Sequence, residues 1–195
     1  MSTEESVSSK YSQIRHAIRE TLDRRRYHHS IGVAYTASCL AMCYHADPDK
    51  AFLAGLLHDV AKYDRESILM RAEKHHLEIT KTEYAEPMLL HGKLGAYYAK
   101  EKYGVTDPEI LSAIELHTVG KPAMSTLEMI LYLADYIEPN RVGLSCLKEI
   151  RSEAFVNLKK AVYLVAKACE EHVRAKGAVM DERGLATLEY YKQFA

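Results

Sequence analysis

The sequence predicts an all-α fold, a single helical bundle, on three observations. Apolar residues recur at steps of three and four along most of the 195 residues. No window alternates apolar and polar residues for long enough to form a convincing strand. A chain of this length also suits one sizeable core. We therefore expect one domain over residues 11–195, preceded by a disordered Ser- and Glu-rich segment over residues 1–10.

The first half of the chain is predicted to contain three long helices. Residues 11–22 and 27–44 carry amphipathic patterns. An Asp47-Pro48 start then predicts a third helix over residues 48–61. This third helix is apolar nearly all round, so it should lie centrally. Residues 64–87 are more polar and predict one short helix and a loop around residues 80–82.

The second half predicts further helices, each bounded by a recognisable start or stop signal. Glycines follow two of them, Gly104 and Gly177, and Ser125 with Glu128 forms a capping box before a third. The predicted helices span residues 89–103, 108–117, 127–137, 152–176 and 181–194.

Composition excludes several classes of protein. The net charge of −1 and the pI near 6.8 give no electrostatic basis for general binding of nucleic acid polymers, although they leave a local basic patch open. No apolar run approaches the roughly 20 residues of a membrane helix, and residues 1–10 contain no signal-peptide core. We therefore expect a cytoplasmic protein that does not bind membranes. The four cysteines lack a CxxC spacing, which disfavours a zinc knuckle.

Two carboxylates stand where a core residue is expected. Asp59 lies within Leu-Leu-His-Asp-Val-Ala, and Asp135 interrupts the most apolar turn of its helix. Burying an unpaired carboxylate costs several kcal/mol. A buried Asp usually pairs with Arg or caps a helix, but both positions are predicted to lie within helices, with no Arg within one turn. A shared cation is the better explanation.

Histidines in apolar surroundings supply further ligands for such a cation. A single buried histidine is usually a hydrogen-bonded core residue. Here several coincide, together with two carboxylates and no thiolate, a set that fits iron, manganese or zinc. The candidate ligands, on five predicted helices, are His29, His58, Asp59, His91, His117 and Asp135. The histidines in polar contexts are predicted to be surface residues: His16, His45, His75, His76 and His172.

The His58-Asp59 pair resembles the motif of the HD-domain metal-dependent phosphohydrolases, and further motifs resemble the bacterial YqeK family within them. The resemblance covers about residues 27–194. It rests on the runs His58-Asp59-Val60-Ala61-Lys62, His91-Gly92-Lys93-Leu94-Gly95-Ala96, His117-Thr118-Val119-Gly120, Met124-Ser125-Thr126-Leu127-Glu128 and Tyr132-Leu133-Ala134-Asp135-Tyr136-Ile137-Glu138-Pro139-Asn140-Arg141. Members of that family hydrolyse diadenosine tetraphosphate symmetrically, using iron, and release two ADP. The resemblance implies an HD-domain bundle with its metal site between the central helices.

The resemblance also implies that the six candidate ligands hold the metal. The first ligand is ambiguous, because His28 and His29 are adjacent, and the choice of His29 depends on the following Ser30. After Arg141 the chain departs from the aromatic-Pro-Gly run of the family. The expected cofactor is a divalent metal, first of all iron, with manganese or cobalt as alternatives, bound as one or two ions.

Roles follow from position and charge. Asp59 is expected to bridge two ions and to steer the attacking water. Lys62, one turn after His58, and Arg141 are expected to neutralise the polyphosphate. Arg26 and Thr118, each next to a ligand region, are weaker candidates for substrate binding. A nucleotide substrate, or an ADP- or GDP-like product, is the expected partner, and the sequence leaves a homodimer open.

Other functions fit the same residues. A phosphohydrolase acting on another nucleotide would need an identical set of ligands, and a di-iron oxygenase is a minor variant. A regulatory module that binds metal and nucleotide without turnover is a third class. A complete set of ligands together with Lys62 argues against that module.

Overall fold

Every regular secondary-structure element in the part of the chain that the structure describes is a helix. This computed structural model describes the backbone of residues 3–195 and the side chains of residues 11–195. The α-helices are α1 (Thr3–Thr21), α2 (Arg24–Cys43), α3 (Pro48–Leu57), α4 (Arg65–Lys74), α5 (Lys81–Ala85), α6 (His91–Glu101), α7 (Pro108–Leu116), α8 (Thr126–Ile137), α9 (Leu147–Ala154), α10 (Leu158–Ala175) and α11 (Glu182–Tyr191). Short 3-10 helices span Pro87–Leu90 and Lys192–Phe194. The predicted all-α class is confirmed.

The core forms around α3 and α8, two strongly apolar helices that are buried along most of their length. Helix α2 packs against both, α7 covers their other side, and α10 lies against α8. At Gly55, α3 approaches α2 so closely that an added Cβ would lie 2.5 Å from the Cα of Ala34. The central position predicted for the third helix is therefore correct. None of the described helices combines the length and apolarity needed to cross a bilayer.

Helix α3 ends four residues earlier than predicted. It stops at Leu57, and His58 and Asp59 lie in a turn closed by a hydrogen bond from Lys62 N to Asp59 O at 3.2 Å. Asp59 is thus just beyond the helix and not within it, which corrects the sequence interpretation. The turn lets two adjacent polar side chains face the same interior point. Asp135 lies inside α8, as predicted.

The loop predicted around residues 80–82 is instead the start of a helix. Thr80 caps α5, and Glu83 completes a capping box by accepting from Thr80 N at 2.8 Å. The long helix predicted over residues 152–176 is also wrong, because the chain breaks between α9 and α10. Asn157 caps α10 there, accepting from Lys160 N at 3.1 Å.

The first helices begin earlier than predicted. Helix α1 starts at Thr3, and α2 starts at Arg24 behind the N-cap residue Asp23. The disorder predicted for residues 1–10 falls on residues whose side chains lie outside the described part of the chain, and it stays a prediction.

Candidate metal centre

The six side chains predicted to bind metal come together at one point between the central helices. His29 comes from α2, Asp135 from α8, and the others from the ends or starts of α3, α6 and α7. Their side-chain nitrogen and oxygen atoms form three overlapping groups, each with all its atoms within 4.8 Å of one another. These groups are His29–His58–Asp59, His58–His117–Asp135 and Asp59–His91–His117.

Three of the histidines are fixed in the same way by a backbone carbonyl three residues earlier. His58 Nδ1 donates to Gly55 O at 2.8 Å, and His117 Nδ1 donates to Ile114 O at 2.7 Å. His91 Nδ1 donates to Met88 O at 2.5 Å. The last carbonyls of a helix have no partner inside it, so Gly55 O and Ile114 O are free to accept these protons. Met88 O accepts from His91 N as well as from the ring. Each neutral ring therefore presents an unprotonated Nε2 to the site.

Burial keeps these three rings neutral. Desolvation lowers the pKa of His58 to about 4 and that of His91 to about 3. The pKa of His117 is lowered for the same reason. A neutral imidazole is the form that binds a metal ion, so no proton has to be removed from these rings near neutral pH.

Imidazole nitrogens face one another across the site. His91 Nε2 and His117 Nε2 are 3.0 Å apart, and His58 Nε2 is 3.3 Å from His29 Nε2. Metal–nitrogen bonds are about 2.0–2.1 Å long, so two nitrogens on one ion at a right angle lie about 3 Å apart. The donor set and its spacing therefore fit a divalent cation.

The two oxygens of Asp59 face different histidines. Oδ2 lies 3.7 Å from His58 Nε2, whereas Oδ1 lies 3.5 Å from His91 Nε2 and 3.9 Å from His117 Nε2. Burial alone would raise the pKa of Asp59, but the facing histidines and Lys62 hold that pKa well below its usual range. A carboxylate that is ionised and faces two sets of nitrogens can bridge two ions.

Asp135 is the second buried carboxylate, and it lies beside His29. His29 Nε2 is 2.8 Å from Asp135 Oδ1, and Arg141 Nη2 donates to the same oxygen at 3.1 Å. Burial opposes ionisation of Asp135, but its hydrogen bond with His29 and the nearby histidines hold its pKa well below the usual range. Burial likewise opposes protonation of His29, yet Asp135 and Glu138 raise the pKa of this ring.

A cavity of about 570 Å³ opens over the cluster, and basic side chains line it. Three of the four residues predicted to bind substrate reach it: Arg26, Lys62 and Arg141. Lys62 Nζ donates to Asp59 Oδ1 at 3.1 Å, and Arg26 Nη1 donates to Lys62 O at 2.6 Å. The hydroxyl of Thr118, the fourth, lies deeper, 3.1 Å from His91 Nε2.

Sequence reasoning missed four further residues of this cavity. Asp23, Arg25, Glu138 and Asn140 also line it, as does His28, which the sequence suggested only as a metal ligand. Three consecutive arginines open α2, although positive charge is unfavourable at a helix N-terminus. That conflict is the sequence signal by which Arg25 and Arg26 could have been identified as residues of the site. The Ile-Glu-Pro-Asn run lies in a motif that carries the family resemblance, but its composition is that of an ordinary helix end and indicates no role for Glu138 or Asn140.

The structure separates the two adjacent histidines that the sequence leaves ambiguous. The His29 ring points into the cluster, whereas His28 is exposed at the cavity wall. The five histidines predicted to be surface residues lie outside the cluster. Four of them are exposed, and His75 is half-buried because it stacks on Tyr97 with ring centroids 4.4 Å apart.

Comparison with known families decides what kind of domain carries this site. The family model described as "HD domain" matches residues 26–140, which is more than half of the chain. The chain belongs to the HD-domain family. The matched range contains all six clustered side chains, so the HD-domain resemblance predicted from His58-Asp59 is confirmed.

Relatives of known name extend the similarity beyond the HD domain. The symmetrical bis(5'-nucleosyl)-tetraphosphatase of Halalkalibacterium halodurans is 40% identical over 145 residues, which are 74% of this chain and 77% of the relative. The enzyme of the same name from Staphylococcus aureus is 34% identical over 176 residues, 89% of this chain and 90% of the relative. These matches confirm the narrower resemblance to the YqeK family.

A solved structure confirms the HD-domain architecture. The crystal structure named as a predicted HD superfamily hydrolase involved in NAD metabolism, from Clostridium acetobutylicum, superposes with a TM-score of 0.90 at 36% identity. The match covers 95% of this chain and 98% of that chain. The helical bundle, with its cluster between central helices, is therefore the bundle of the HD domain.

Proposed function

We propose that this chain hydrolyses dinucleoside polyphosphates and cuts diadenosine tetraphosphate symmetrically into two molecules of ADP. The observation that carries the proposal is the Asp59 carboxylate, whose two oxygens face separate histidines at the base of a basic cavity. Relatives that cover most of the chain are named for this reaction. Membership of the HD-domain family supports a phosphohydrolase in general.

The six clustered side chains are proposed to hold two divalent ions, with Asp59 as the shared ligand. One ion would be held by His29, His58 and Asp135, and the other by His91 and His117. Iron is the proposed metal, with manganese or cobalt as alternatives, since ligands of nitrogen and oxygen without thiolate suit all three. A pair of such ions supplies an activated water and charge neutralisation at phosphoryl oxygens.

The cavity's cations are proposed to hold the polyphosphate. Lys62 reaches from the turn after α3 to Asp59 Oδ1, so its ammonium lies beside the reacting phosphoryl group and can neutralise charge that grows there. Arg141, which lies beside the Asp135 carboxylate, offers a planar guanidinium to a phosphate. Arg26 binds phosphate farther out, and the Thr118 hydroxyl donates to a phosphoryl oxygen near His91.

The symmetrical cut requires a defined attack. An oxygen of water bonds to one of the two central phosphorus atoms, and the bridging oxygen between the central pair leaves with the other ADP. Near neutral pH both protons of that water pass to solvent through the open cavity, because two ADP carry two more negative charges than diadenosine tetraphosphate. A diphosphate must therefore lie on each side of the broken bond. Lys62 beside Asp59 and Arg141 beside Asp135 supply positive charge for the two diphosphates.

Anaerobic purification followed by metal analysis and a hydrolysis assay tests the proposal. Diadenosine tetraphosphate is supplied with iron, manganese or cobalt, and the products are separated by chromatography. ADP as the sole product supports the symmetrical cut, whereas AMP with ATP contradicts it. Other nucleotides and cyclic nucleotides are assayed beside it, and faster turnover of one of them would replace the proposed substrate. The cytoplasmic location, the absence of binding to nucleic acid polymers or membranes, and a homodimer all stay predictions.

A further inference from the structure

His29 is the one clustered histidine in the described part of the chain that lies in the middle of a helix. It occupies the sixth position of α2, where the backbone carbonyls of the preceding turn already accept within the helix. His58 and His117 lie at helix ends and use free carbonyls, and His91, the first residue of α6, shares Met88 O with its own backbone N–H. His29 therefore needs an acceptor from another element to fix its ring.

The carboxylate of Glu138 supplies that acceptor. His29 Nδ1 lies 3.0 Å from Glu138 Oε1, while His29 Nε2 faces Asp135 and His58. The Glu138 side chain is only 2% exposed. Among the side chains described from residue 11 onward, neither Lys nor Arg forms an ion pair with it. A buried carboxylate without a cationic partner is costly, so its position calls for an explanation.

The other oxygen of Glu138 is held by two donors that cannot act as acceptors. Asn140 N donates to Oε2 at 2.8 Å, and Asn140 Nδ2 donates to it at 2.9 Å. The segment after α8 that carries Glu138 and Asn140 is fixed by Arg151. The guanidinium of Arg151 donates to the carbonyls of Ile137, Glu138 and Arg141 at 2.8 Å each. Because both Asn140 groups donate to Oε2, Oε1 is the oxygen left to accept the proton of His29 Nδ1.

Helix α2 leaves room for this carboxylate one turn after His29. A Cβ at Gly32 would lie 2.3 Å from Glu138 Oε2 and 3.2 Å from Asn140 Nδ2. Any residue larger than glycine would push the carboxylate away from its present place. The same helix thus carries the proposed ligand and the clearance for the group that orients it.

We infer that Glu138 is a positioning residue of the metal centre, which holds His29 with the proton on Nδ1 so that Nε2 is free to bind a divalent ion. A carboxylate behind a metal-binding imidazole also makes the ring a stronger ligand than a carbonyl does. The inference rests on the proposed metal-dependent function. It assigns to the His29 side of the cluster an orientation device that the His91–His117 side lacks.

The variant Glu138→Gln tests the inference with little change of shape. Asn140 offers two donors, so the amide oxygen takes the Oε2 position and the NH₂ group faces His29 Nδ1. That arrangement favours the proton on Nε2, where it blocks the metal. Calorimetric titration of metal-free protein with Mn²⁺ should then show one of two sites weakened about 10- to 100-fold. Unchanged affinity at both sites would overturn the inference.

A second variant and a matched control separate orientation from loss of stability. Gly32→Ala should weaken the same site, because it displaces the carboxylate without removing any donor. Glu128→Gln alters another buried glutamate, which accepts from Lys121 and Ser112 at the far end of α8. It should lower the melting temperature and leave both Mn²⁺ affinities unchanged. Equal weakening by Glu128→Gln would reduce Glu138 to a structural role and overturn the inference.

Spectroscopy of the unmodified protein tests the position of the His29 proton directly, so this measurement does not depend on whether the variants fold. In the zinc-loaded form, long-range ¹H–¹⁵N correlation spectra should show His29 protonated at Nδ1. A proton at Nε2 would contradict the inference. Both measurements omit substrate, so a failure to cleave diadenosine tetraphosphate would remove the proposed reaction and leave this test intact.

Discussion

His91 Nε2 lies 3.0 Å from His117 Nε2, although neither atom has a proton to give the other. Each ring uses its Nδ1 proton on a backbone carbonyl, and burial lowers the pKa of both rings. The hydroxyl of Thr118, 3.1 Å and 3.3 Å away, can donate to only one of them. Two facing acceptors in a buried place are stabilised by a cation between them.

Removal of individual ligands should therefore change the metal content in steps. His117→Ala should lower the metal content from two ions per chain to one, because His29, His58 and Asp135 still converge. Asp59→Ala should abolish hydrolysis and deplete both ions, since each Asp59 oxygen faces a different group. Elemental analysis after anaerobic purification measures both effects. The control is His172→Ala, an exposed residue whose removal should change nothing.

Retained activity with full metal loading in Asp59→Ala would remove Asp59 from the mechanism. Loss of both ions from His117→Ala would show that the two sides of the cluster do not bind independently.

The ligands could be predicted from sequence because their surroundings conflict with their chemistry. Asp135 within an apolar helix face would be costly without a partner, so its presence indicated a cation. Glu138 plays a comparable part in the structure but lies at a helix end followed by proline. There an acidic residue is unremarkable, so only the folded chain reveals its contact with His29.

The helix boundaries were predictable where a cap or a glycine marked them. They were not predictable near Phe155 and Val156, where the apolar periodicity continues through the break between α9 and α10. These side chains are 45% and 76% exposed, so they do not serve the core that the pattern suggests. The break depends on Asn157 capping α10, a choice that local periodicity does not determine.

Replacement of Lys62 should impair turnover more than metal binding. Lys62→Met keeps the aliphatic stem but removes the charge beside Asp59, and kcat should fall about 100-fold, as for the loss of one stabilising donor. Lys62→Arg should recover part of the rate, because it restores the charge. Steady-state kinetics with metal analysis of the same samples measures the effect. The matched control is Lys148→Met, at an exposed position in α9.

If Lys62→Met lost its metal in proportion to its rate, Lys62 would act by holding Asp59 and not on the substrate. An unchanged kcat would exclude both roles.

Gly55→Ala should disturb the metal centre through packing. The new Cβ would lie 2.5 Å from Ala34 Cα and 2.8 Å from Ala34 N, which are backbone atoms that cannot give way separately. Overpacking of this kind costs about 1–3 kcal/mol. Because Gly55 O holds the His58 ring, the strain should also weaken Mn²⁺ binding. Thermal unfolding and calorimetric titration measure the two effects.

The control for that substitution is Gly104→Ala, which forces alanine into a φ of +64° with nothing within 4 Å of its Cβ. This variant should lose stability and keep its affinity for Mn²⁺. Normal metal binding by a destabilised Gly55→Ala would show that the His58 ring does not depend on the tight contact between α2 and α3.

Glu83 should make the stability of the fold depend on acid pH. Its buried carboxylate accepts from Lys93 Nζ and Arg183 Nη2, each at 2.8 Å, and so ties α5 to α6 and α11. Burial opposes its ionisation, but these cations hold the pKa of Glu83 below the ordinary 4.5. Its contribution to stability is therefore present above about pH 4.5 and is lost as the pH falls through the lower, folded-state pKa.

The variant Glu83→Gln should accordingly lose about 1.5–3 kcal/mol of stability near neutral pH, as expected for hydrogen bonds to a charged group. The difference in free energy of unfolding between the variant and the unmodified protein should shrink as the pH falls from about 7 to about 3.5. Protonation then removes the same charge from Glu83 in the unmodified protein. Urea unfolding of metal-free protein measures this, since acid would release bound ions from the histidines. Glu86→Gln, which breaks an exposed pair with Arg65 at 2.6 Å, should cost less than about 1 kcal/mol at either pH. A difference for Glu83→Gln that stayed constant with pH would mean that the carboxylate acts through its shape and not through its charge.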